Sequence, residues 1–291
     1  MPIIIAGIAT ISLYSMQPST SEIAAFLAED MGSGDLTANL IPLATQAVAT
    51  VISRENMVLC GQAWFDAVFR QLAENIEIEW QYRDGDVITA NSQLCRIYGP
   101  ARALLTGERT ALNLLQTLSA TASMARKYAD AVAGTGCRVL DTRKTIPGLR
   151  LAQKYAVSCG GCLNHRIGLY DAILIKENHI IAAGSIVQAV KLARSHSTAS
   201  VEVEVENLQE FQQALAAEPD RIMLDNFSIA ETLLAVQQSH GKVELEASGN
   251  ITLQNIRAVA ETGVDYISIG ALTKNIAAAD LSMRIELLSS E

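Results

Sequence analysis

The segment NHRIGLYDAILIKENH places ionisable groups on both sides of an apolar run. His165 and Arg166 precede the run AILI, and Lys176 follows it directly. Arg143 and Lys144 come in the same way just after another apolar run, CRVLD. An arginine fork suits carboxylate or phosphate oxygens, and a neighbouring histidine can serve as a further donor. Because the chain carries a net charge of −9, these local groups of cations predict a specific anion site.

Two carboxylates stand at comparable positions. Glu204 lies near the end of the run VEVEVEN, and Asp225 lies near the end of RIMLDN. Together with the cations they indicate a polyanionic ligand and a divalent metal, because Mg²⁺ prefers a few carboxylates combined with ligand phosphates. An ion pair between Glu204 and Lys176 is the alternative interpretation.

Small residues end the last two apolar runs. Ser248, Gly249 and Asn250 follow VELEA, and Ser268 and Gly270 belong to DYISIG. Small side chains let backbone N–H groups approach a ligand, and a following helix N-terminus attracts an anion. We therefore expect a phosphate to bind here, although tight strand-to-helix turns would explain the same glycines.

The elements that carry these residues alternate regularly after residue 137. The predicted strands are CRVLD, DAILIKEN, VEVEVEN, RIMLDN, VELEASG and DYISIG. The predicted helices cover 149–158, 183–195, 208–217, 228–239, 252–262 and 276–287. This pattern predicts parallel βα units in a barrel, with functional groups at the carboxyl ends of the strands. A doubly wound open sheet is the competing architecture, but no Gly-x-Gly-x-x-Gly follows a strand. In VEVEVEN the three glutamates share one strand face. We expect that face to point into the barrel, with Glu204 and Glu206 more important than Glu202.

The region of residues 19–121 has a mixed α+β pattern. STSEIAAFLAED and QAWFDAVFRQLAE show helical spacing, and IEIEWQYRDGDVI shows strand alternation with a turn. A long helical segment follows, with an expected break near Gly107. Arg109 lies in this segment, where a functional role would require it to reach another subunit or domain.

Composition excludes several classes of protein. Hydrophobic residues make up 49% and charged residues 18% of the 291 residues, as in an ordinary soluble globular protein. The acidic balance argues against nucleic-acid or membrane partners. The five cysteines form no complete zinc or disulfide pattern, so we expect reduced thiols and a cytoplasmic protein. The apolar N-terminal segment MPIIIAGIATISLY lacks a basic region and, at about 14 residues, is too short to span a bilayer, so we expect a flexible or strand-like lead-in.

Several motifs, in order, resemble the quinolinate phosphoribosyltransferase (nicotinate-nucleotide pyrophosphorylase) family. They are DTRKT, PGLR, the NHR segment described first, EVEVEN, MLDNF, EASGNIT and SIGALTK. The resemblance extends upstream through LAEDMGSGDLT, SRENMVLCG and GPARALLTGERTALNLLQTLSA, so it covers about residues 20–287. A related group linked to molybdenum transport fits less well, because it lacks the Asn-His-Arg run.

The resemblance implies a reaction and an architecture. Quinolinate and phosphoribosyl pyrophosphate would give nicotinate mononucleotide, pyrophosphate and CO₂, with Mg²⁺, in NAD biosynthesis. The implied fold is α/β, with an N-terminal α/β sandwich over 17–122 and an incomplete α/β barrel of parallel strands over 123–275. We expect a C-terminal helix at about 276–291 to pack on the sandwich. The implied assembly is a head-to-tail homodimer.

The resemblance also implies roles for individual residues. The quinolinate clamp would consist of Arg109 of the partner subunit, Arg143, His165 and Arg166, with Thr142 beside it. The phosphoribosyl substrate would contact Lys144 and Lys176, its ribose and Mg²⁺ would contact Glu204 and Asp225, and its 5-phosphate would contact Ser248, Gly249, Asn250 and Gly270. The residues expected to act in catalysis are Lys144, Lys176, Glu204 and Asp225. Glu177 and His179 are expected to support the site.

Two positions depart from the family pattern. Cys162 stands where the family has a third consecutive glycine, and we expect that position to tolerate a side chain. Asn250 stands where relatives often have glycine, and asparagine accepts a left-handed backbone better than most residues.

The same residues are compatible with three other functions. A phosphoribosyltransferase for another pyridine or aromatic acid remains open, although three arginines suit two carboxylates. A Schiff-base barrel lyase using Lys176 would need a desolvated lysine of low pKa. A non-catalytic phosphate-binding subunit would have no need of Glu204 and Asp225.

Overall fold

The computed structural model describes residues 17–288 of the chain, which divide into two compact units. One unit contains residues 17–124 and 276–288, and the other contains residues 125–275. The N-terminal apolar segment and the last residues of the predicted C-terminal helix lie outside the described residues.

The first unit is an α/β sandwich built on an antiparallel sheet. Its helices are α1 Thr20–Met31 and α2 Gln62–Leu72, with a 3₁₀ turn at Ala38–Leu40, and the helix α3 Ala101–Ala131 begins in it. Its strands are β1 Gln46–Ser53, β2 Met57–Val58, β3 Glu77–Trp80, β4 Val87–Ile88, β5 Gln93–Pro100 and β12 Leu281–Leu287. The main sheet has the order β12-β1-β5-β3, and β2 pairs with β4. The edge-to-face contacts of Phe65 with Phe69 and Trp80 lie in the core of this unit.

Two predictions for this unit were wrong. The segment predicted as a C-terminal helix forms the strand β12, which pairs antiparallel with β1 from Leu281 to Leu287. β12 supplies hydrogen-bond partners for the backbone groups along one edge of β1. These hydrogen bonds outweigh the helical spacing of the apolar residues in the segment. The long helix α3 also continues through Gly107 without a break. A Cβ there would lie 2.8 Å from the ring of Phe69, so the glycine allows α2 to approach closely.

The second unit is an incomplete parallel barrel, as predicted. Its strands are β6 Arg138–Leu140, β7 Ile173–Ile175, β8 Val201–Val205, β9 Arg221–Asp225, β10 Glu244–Ser248 and β11 Tyr266–Ser268. Its helices are α4 Arg150–Cys159, α5 Glu177–Ala183, α6 Ile186–His196, α7 Leu208–Ala217, α8 Ile229–Ser239, α9 Ile256–Ala260 and α10 Ala271–Lys274. The sheet order is β6-β11-β10-β9-β8-β7, and Leu163 adds a parallel bridge to Leu140. Among the described residues no pairing joins this bridge to β7, so the barrel stays open there.

Apolar and acidic residues alternate along β8, so one face of the strand packs against helices and the other carries charged groups. On β8 the valines are fully buried, and α6 and α7 pack against this strand. Glu202 and Glu204 occupy the alternate face, where Glu202 contacts His165 before β7 and Glu204 contacts Lys176 after it. Four of the five cysteines are buried. No described helix has both the length and the apolar character that crossing a bilayer requires.

Candidate active site

The carboxyl ends of β6 and β11 bring Thr142, Lys144 and Gly270 together. The Thr142 hydroxyl accepts the N–H of Lys144 at 3.1 Å, and the Lys144 carbonyl accepts the hydroxyl of Thr273 at 2.8 Å. A Cβ built on Gly270 would lie 3.0 Å from the Cδ of Lys144, so the lysine stem passes over this glycine. The lysine head is therefore held near the start of α10.

The ends of β7 and β8 carry the opposite charges Lys176 and Glu204. The Lys176 ammonium contacts a carboxylate oxygen of Glu204, so the ion pair weighed from the sequence is present. The Lys176 side chain is 42% exposed, which leaves it open to a ligand. Nδ1 of His179 accepts the Lys176 N–H at 3.0 Å, so His179 supports the backbone at this position, as expected.

The ends of β9 and β10 are tied together by Asn226. This residue donates to Asp225 at 2.7 Å, accepts from the Asn250 amide at 3.0 Å, and donates its N–H to the Ser248 carbonyl at 2.9 Å. Gly249 has φ +88°, and a Cβ there would lie 2.2 Å from the Asn226 oxygen. Asn250 takes φ 50°, the left-handed conformation expected for it. Asn226 was missed from the sequence, although it directly follows Asp225.

Arg143 and Arg166 are neighbours in the same unit. The Arg166 guanidinium donates to the Ala172 carbonyl at 3.3 Å. Partial burial, and then the positive charge of Arg143, lower the pKa of Arg166. Two repelling guanidiniums in one place favour an anion between them.

His165 points into the barrel. Its Nδ1 accepts the Arg166 N–H at 2.7 Å, and its Nε2 lies 2.9 Å from Glu202 and 3.6 Å from Glu246. Burial opposes protonation of the imidazole, but Glu246 and Glu202 outweigh it and raise the pKa of His165. In this arrangement both ring nitrogens are directed to protein groups, so donation from His165 to a ligand would require the ring to turn.

Below His165 lies a buried ionic cluster that the sequence interpretation did not assign. Arg221 donates to Glu246 at 3.2 Å and to Glu244 at 3.0 Å, and its guanidinium lies 4.0 Å from the ring centre of Tyr266. Strand register explains the cluster, because Arg221 is paired with both Glu202 and Glu244 across its two sheet neighbours. The sequence signal for this cluster was the charged residues at one-face positions of the strands VEVEV, RIMLD and ELEAS.

The pKa values of the two buried carboxylates in this cluster are shifted in opposite directions. Burial and the negative charge of Glu202 raise the pKa of Glu246 to about 7. Burial also opposes ionisation of Glu202, but His165 and Arg221 outweigh it and lower its pKa. Donor atoms of His165, Glu202 and Glu246 lie within 4.8 Å of one another, a spacing that suits a metal. Arg221 already supplies positive charge here, so the charges balance without one.

A cavity of about 530 Å³ lies at the other end of the strands. Its walls include Ser200, Asp220 and Val243, which precede or begin strands, and it extends to His165 and Arg166. The predicted ligand-binding groups at the carboxyl ends are mostly absent from its walls, so we do not assign it to that ligand.

Arg109 belongs to the first unit, where its side chain is exposed on α3. Its role in a neighbouring subunit stays a prediction.

Cys162 has no positive φ, so its side chain is accommodated without backbone strain, as expected.

Comparison with known proteins identifies the family. The family model "Quinolinate phosphoribosyl transferase, C-terminal domain" matches residues 121–284, and the corresponding N-terminal domain model matches residues 35–119. A "probable nicotinate-nucleotide pyrophosphorylase [carboxylating]" from Synechocystis sp. is 42% identical over 265 residues, which cover 89% of this chain and 90% of the relative.

Solved structures agree. The nicotinate-nucleotide pyrophosphorylase from Francisella tularensis is 47% identical, with a TM-score of 0.88 over 96% of this chain and 99% of its own. NadC from Streptococcus pyogenes is 38% identical, with a TM-score of 0.90 over 97% and 100%. This chain belongs to the quinolinate phosphoribosyltransferase family.

Proposed function

We infer that this enzyme is a nicotinate-nucleotide pyrophosphorylase: it transfers the phosphoribosyl group of phosphoribosyl pyrophosphate to quinolinate and releases pyrophosphate, CO₂ and nicotinate mononucleotide. The observation that carries this conclusion is the matched set of groups at one end of the barrel within a chain of this family. Arg143, the carboxylates suited to a metal and the small-residue loop suited to a phosphate follow the carboxyl ends of its strands, and Arg166 follows the bridge of Leu163 to Leu140.

We propose that Arg143 and Arg166 bind the two carboxylates of quinolinate, with Thr142 beside them. The mutual repulsion of the two guanidiniums supports this role, because a dianion between them relieves it. His165 would complete the clamp after its ring turns away from Glu202. Arg109 of the partner subunit would supply a third guanidinium.

The phosphoribosyl substrate would occupy the remaining strand ends. Lys144 and Lys176 would meet the pyrophosphate, and the loop of Ser248, Gly249 and Asn250 would hold the 5-phosphate with Gly270. The close packing of Gly249 against Asn226 supports this placement, since a small residue keeps the loop backbone within reach of a ligand.

The residues present fit Mg²⁺. Glu204 and Asp225 offer carboxylate oxygens from the adjacent parallel strands β8 and β9, and both side chains are only partly buried. Mg²⁺ commonly combines one or two such carboxylates with substrate phosphates. When bound, it would neutralise charge on the pyrophosphate.

The chemistry follows from this arrangement. The pyridine nitrogen of quinolinate attacks the anomeric carbon as pyrophosphate leaves, and positive charge develops on the ribose. Glu204 and Asp225 stabilise that charge, while Lys144 and Lys176 stabilise the leaving group. The ring nitrogen is then quaternary, so its positive charge stabilises the electron pair left on the adjacent carbon when CO₂ departs, and that carbon then takes up a proton from water.

We propose a homodimer, because the family resemblance implies a head-to-tail arrangement in which Arg109 enters the site of the second subunit. We also propose a cytoplasmic location, since the number and spacing of the five cysteines form no disulfide framework, as is usual in a reducing compartment. The Schiff-base alternative receives no support, because Lys176 is partly exposed and paired with Glu204.

The test is a product assay. The protein is incubated with quinolinate, phosphoribosyl pyrophosphate and MgCl₂, and nicotinate mononucleotide is measured by chromatography alongside CO₂ from the carboxylate next to the ring nitrogen. We expect both products in equal amounts, and loss of both when EDTA removes the metal. Turnover of nicotinate in place of quinolinate would favour a different pyridine acid as substrate. A folded sample that forms no product from any of these mixtures would refute the proposal.

A further inference from the structure

The helix α4 turns an unusually polar face towards the interior of its unit. Arg150, Gln153 and Lys154 lie at spacings that share one helix face. Gln153 and Lys154 are fully buried, with 0% exposure. A buried charge or amide is unfavourable unless it has partners. The partners described below belong to segments that carry or adjoin the proposed substrate-binding residues.

Lys154 joins the loop after β6 to the loop before β7. Its ammonium contacts the carboxylate of Asp141 and donates to the His165 carbonyl at 2.9 Å. The same carboxylate accepts the His165 N–H at 2.9 Å and the Asn164 amide at 2.8 Å. Burial raises the pKa of Asp141 and lowers that of Lys154, and the pairing with these hydrogen bonds opposes both shifts.

The position of this pair in the chain gives it a specific consequence. Asp141 comes two residues before Arg143, and His165 comes directly before Arg166. One buried carboxylate therefore fixes the starting points of both arginine-bearing segments. Arg150 adds a weaker link, because its guanidinium donates to the Thr145 hydroxyl at 3.1 Å and to the Ile167 carbonyl at 3.2 Å.

Gln153 joins a different pair of segments. Its carbonyl oxygen accepts the Ile146 N–H at 2.8 Å, and its amide donates to the Thr273 carbonyl at 2.9 Å. The Thr273 hydroxyl in turn donates to the Lys144 carbonyl. Gln153 thus holds the lysine-bearing loop against α10, which begins directly after Gly270.

We propose that α4 positions the two halves of the substrate site separately, with Lys154 and Asp141 setting the quinolinate clamp and Gln153 setting the phosphoribosyl pyrophosphate side. The inference rests on the proposed function. None of the three residues touches a substrate in this account. They are positioning residues that act through Arg143, Arg166 and Lys144.

Two single variants test the separation. Lys154→Met keeps most of the length of the side chain and removes its charge, and Gln153→Leu keeps a similar volume and removes the hydrogen bonds to Ile146 and Thr273. We expect K154M to raise KM for quinolinate about tenfold, equivalent to about 1.4 kcal/mol, with KM for phosphoribosyl pyrophosphate within about threefold of wild type. We expect Q153L to show the reverse. Lys191→Met, at an exposed position of α6, is the matched control and should leave both KM values unchanged.

A purely structural role would lower the melting temperature and the active fraction of both variants without separating the two KM values. Variants that fold but shift both KM values together, or neither, would overturn the inference. If K154M does not fold, Asn164→Ala removes one hydrogen bond to Asp141, keeps the ion pair, and should again raise KM for quinolinate selectively. A wild-type protein that forms no nicotinate mononucleotide would overturn the proposed function and this inference with it. A wild type that turns over beside variants with unaltered KM values would overturn the inference alone.

Discussion

Glu246 should make the stability of the folded protein depend on pH. Its carboxyl group is fully buried and faces Glu202 on β8, His165 before β7, Arg221 on β9, and Tyr266 and Ser268 on β11. Its pKa rises from an ordinary 4.5 to about 7 in the folded state. The folded state therefore binds a proton that the unfolded state has released between these two pH values.

The sign and size follow from proton linkage. A raised folded-state pKa gives stability that is fully present below pH 4.5 and is lost as the pH rises through about 7. For a single proton with these two pKa values, the free energy of unfolding should fall by about 2 kcal/mol between about pH 5.5 and pH 8. The pKa of His165 is also raised, so its protonation contributes in the same direction.

The substitution Glu246→Gln isolates this contribution, because glutamine resembles the protonated acid. Urea unfolding followed by far-ultraviolet circular dichroism measures the free energy at both pH values. We expect E246Q to be close to wild type in the acid and to lose most of the 2 kcal/mol dependence. Glu29→Gln, at an exposed position of α1, serves as a control that should retain the wild-type dependence. An E246Q protein whose stability falls as steeply as that of wild type would refute the reasoning.

Two further predictions concern activity. Arg109→Ala and Lys176→Ala should each lower turnover by orders of magnitude, yet a mixture of the two proteins after subunit exchange should regain up to about one quarter of wild-type activity, because some hybrid dimers contain one intact site. No recovery in a mixture that forms hybrid dimers would contradict the proposed contribution of Arg109 across subunits. Gly249→Ala should raise KM for phosphoribosyl pyrophosphate at least tenfold, because the added Cβ would fall 2.2 Å from the Asn226 oxygen. An unchanged KM in kinetics at varied phosphoribosyl pyrophosphate would argue against a phosphate at this loop.

The barrel was predictable because each strand is short, carries apolar residues on at least one face, and is followed closely by polar groups. Parallel strands that are buried on both faces have largely apolar sequences, and polar loops separate them at regular intervals along the chain. The strands β5 and β12 of the antiparallel sheet gave no such signal. The segment QLCRIYGP is neither clearly alternating nor apolar throughout, and LSMRIEL has a spacing compatible with a helix. Both segments form strands because they pair antiparallel with β1, which is distant from them in the sequence.

The positions of the charged groups at the strand ends were predictable from the sequence, and the charged cluster in the barrel interior was not. The carboxyl-end residues Lys176 and Glu204 stand out because their charge follows an apolar run. Glu246 and Arg221 lie within strands, where a charge usually signals a solvent-facing position. Only the register of β8, β9 and β10 shows that these charges meet each other inside the barrel. Lys154 was hidden for a similar reason, because a lysine in a helix is normally exposed.

The contrast between these two sets of charges bears on how the site works. Interior charges such as Arg221 and Lys154 already have buried partners, so separating them would leave a carboxylate uncompensated at a cost of about 3–5 kcal/mol. Lys176 and Glu204 are partnered mainly with each other, and Lys176 is partly exposed, so their pair is worth much less. A substrate that brings a pyrophosphate to Lys176 and a cationic ribose to Glu204 can therefore separate this pair at small cost. In the proposed function, the interior pairs would keep the surrounding loops fixed during that exchange.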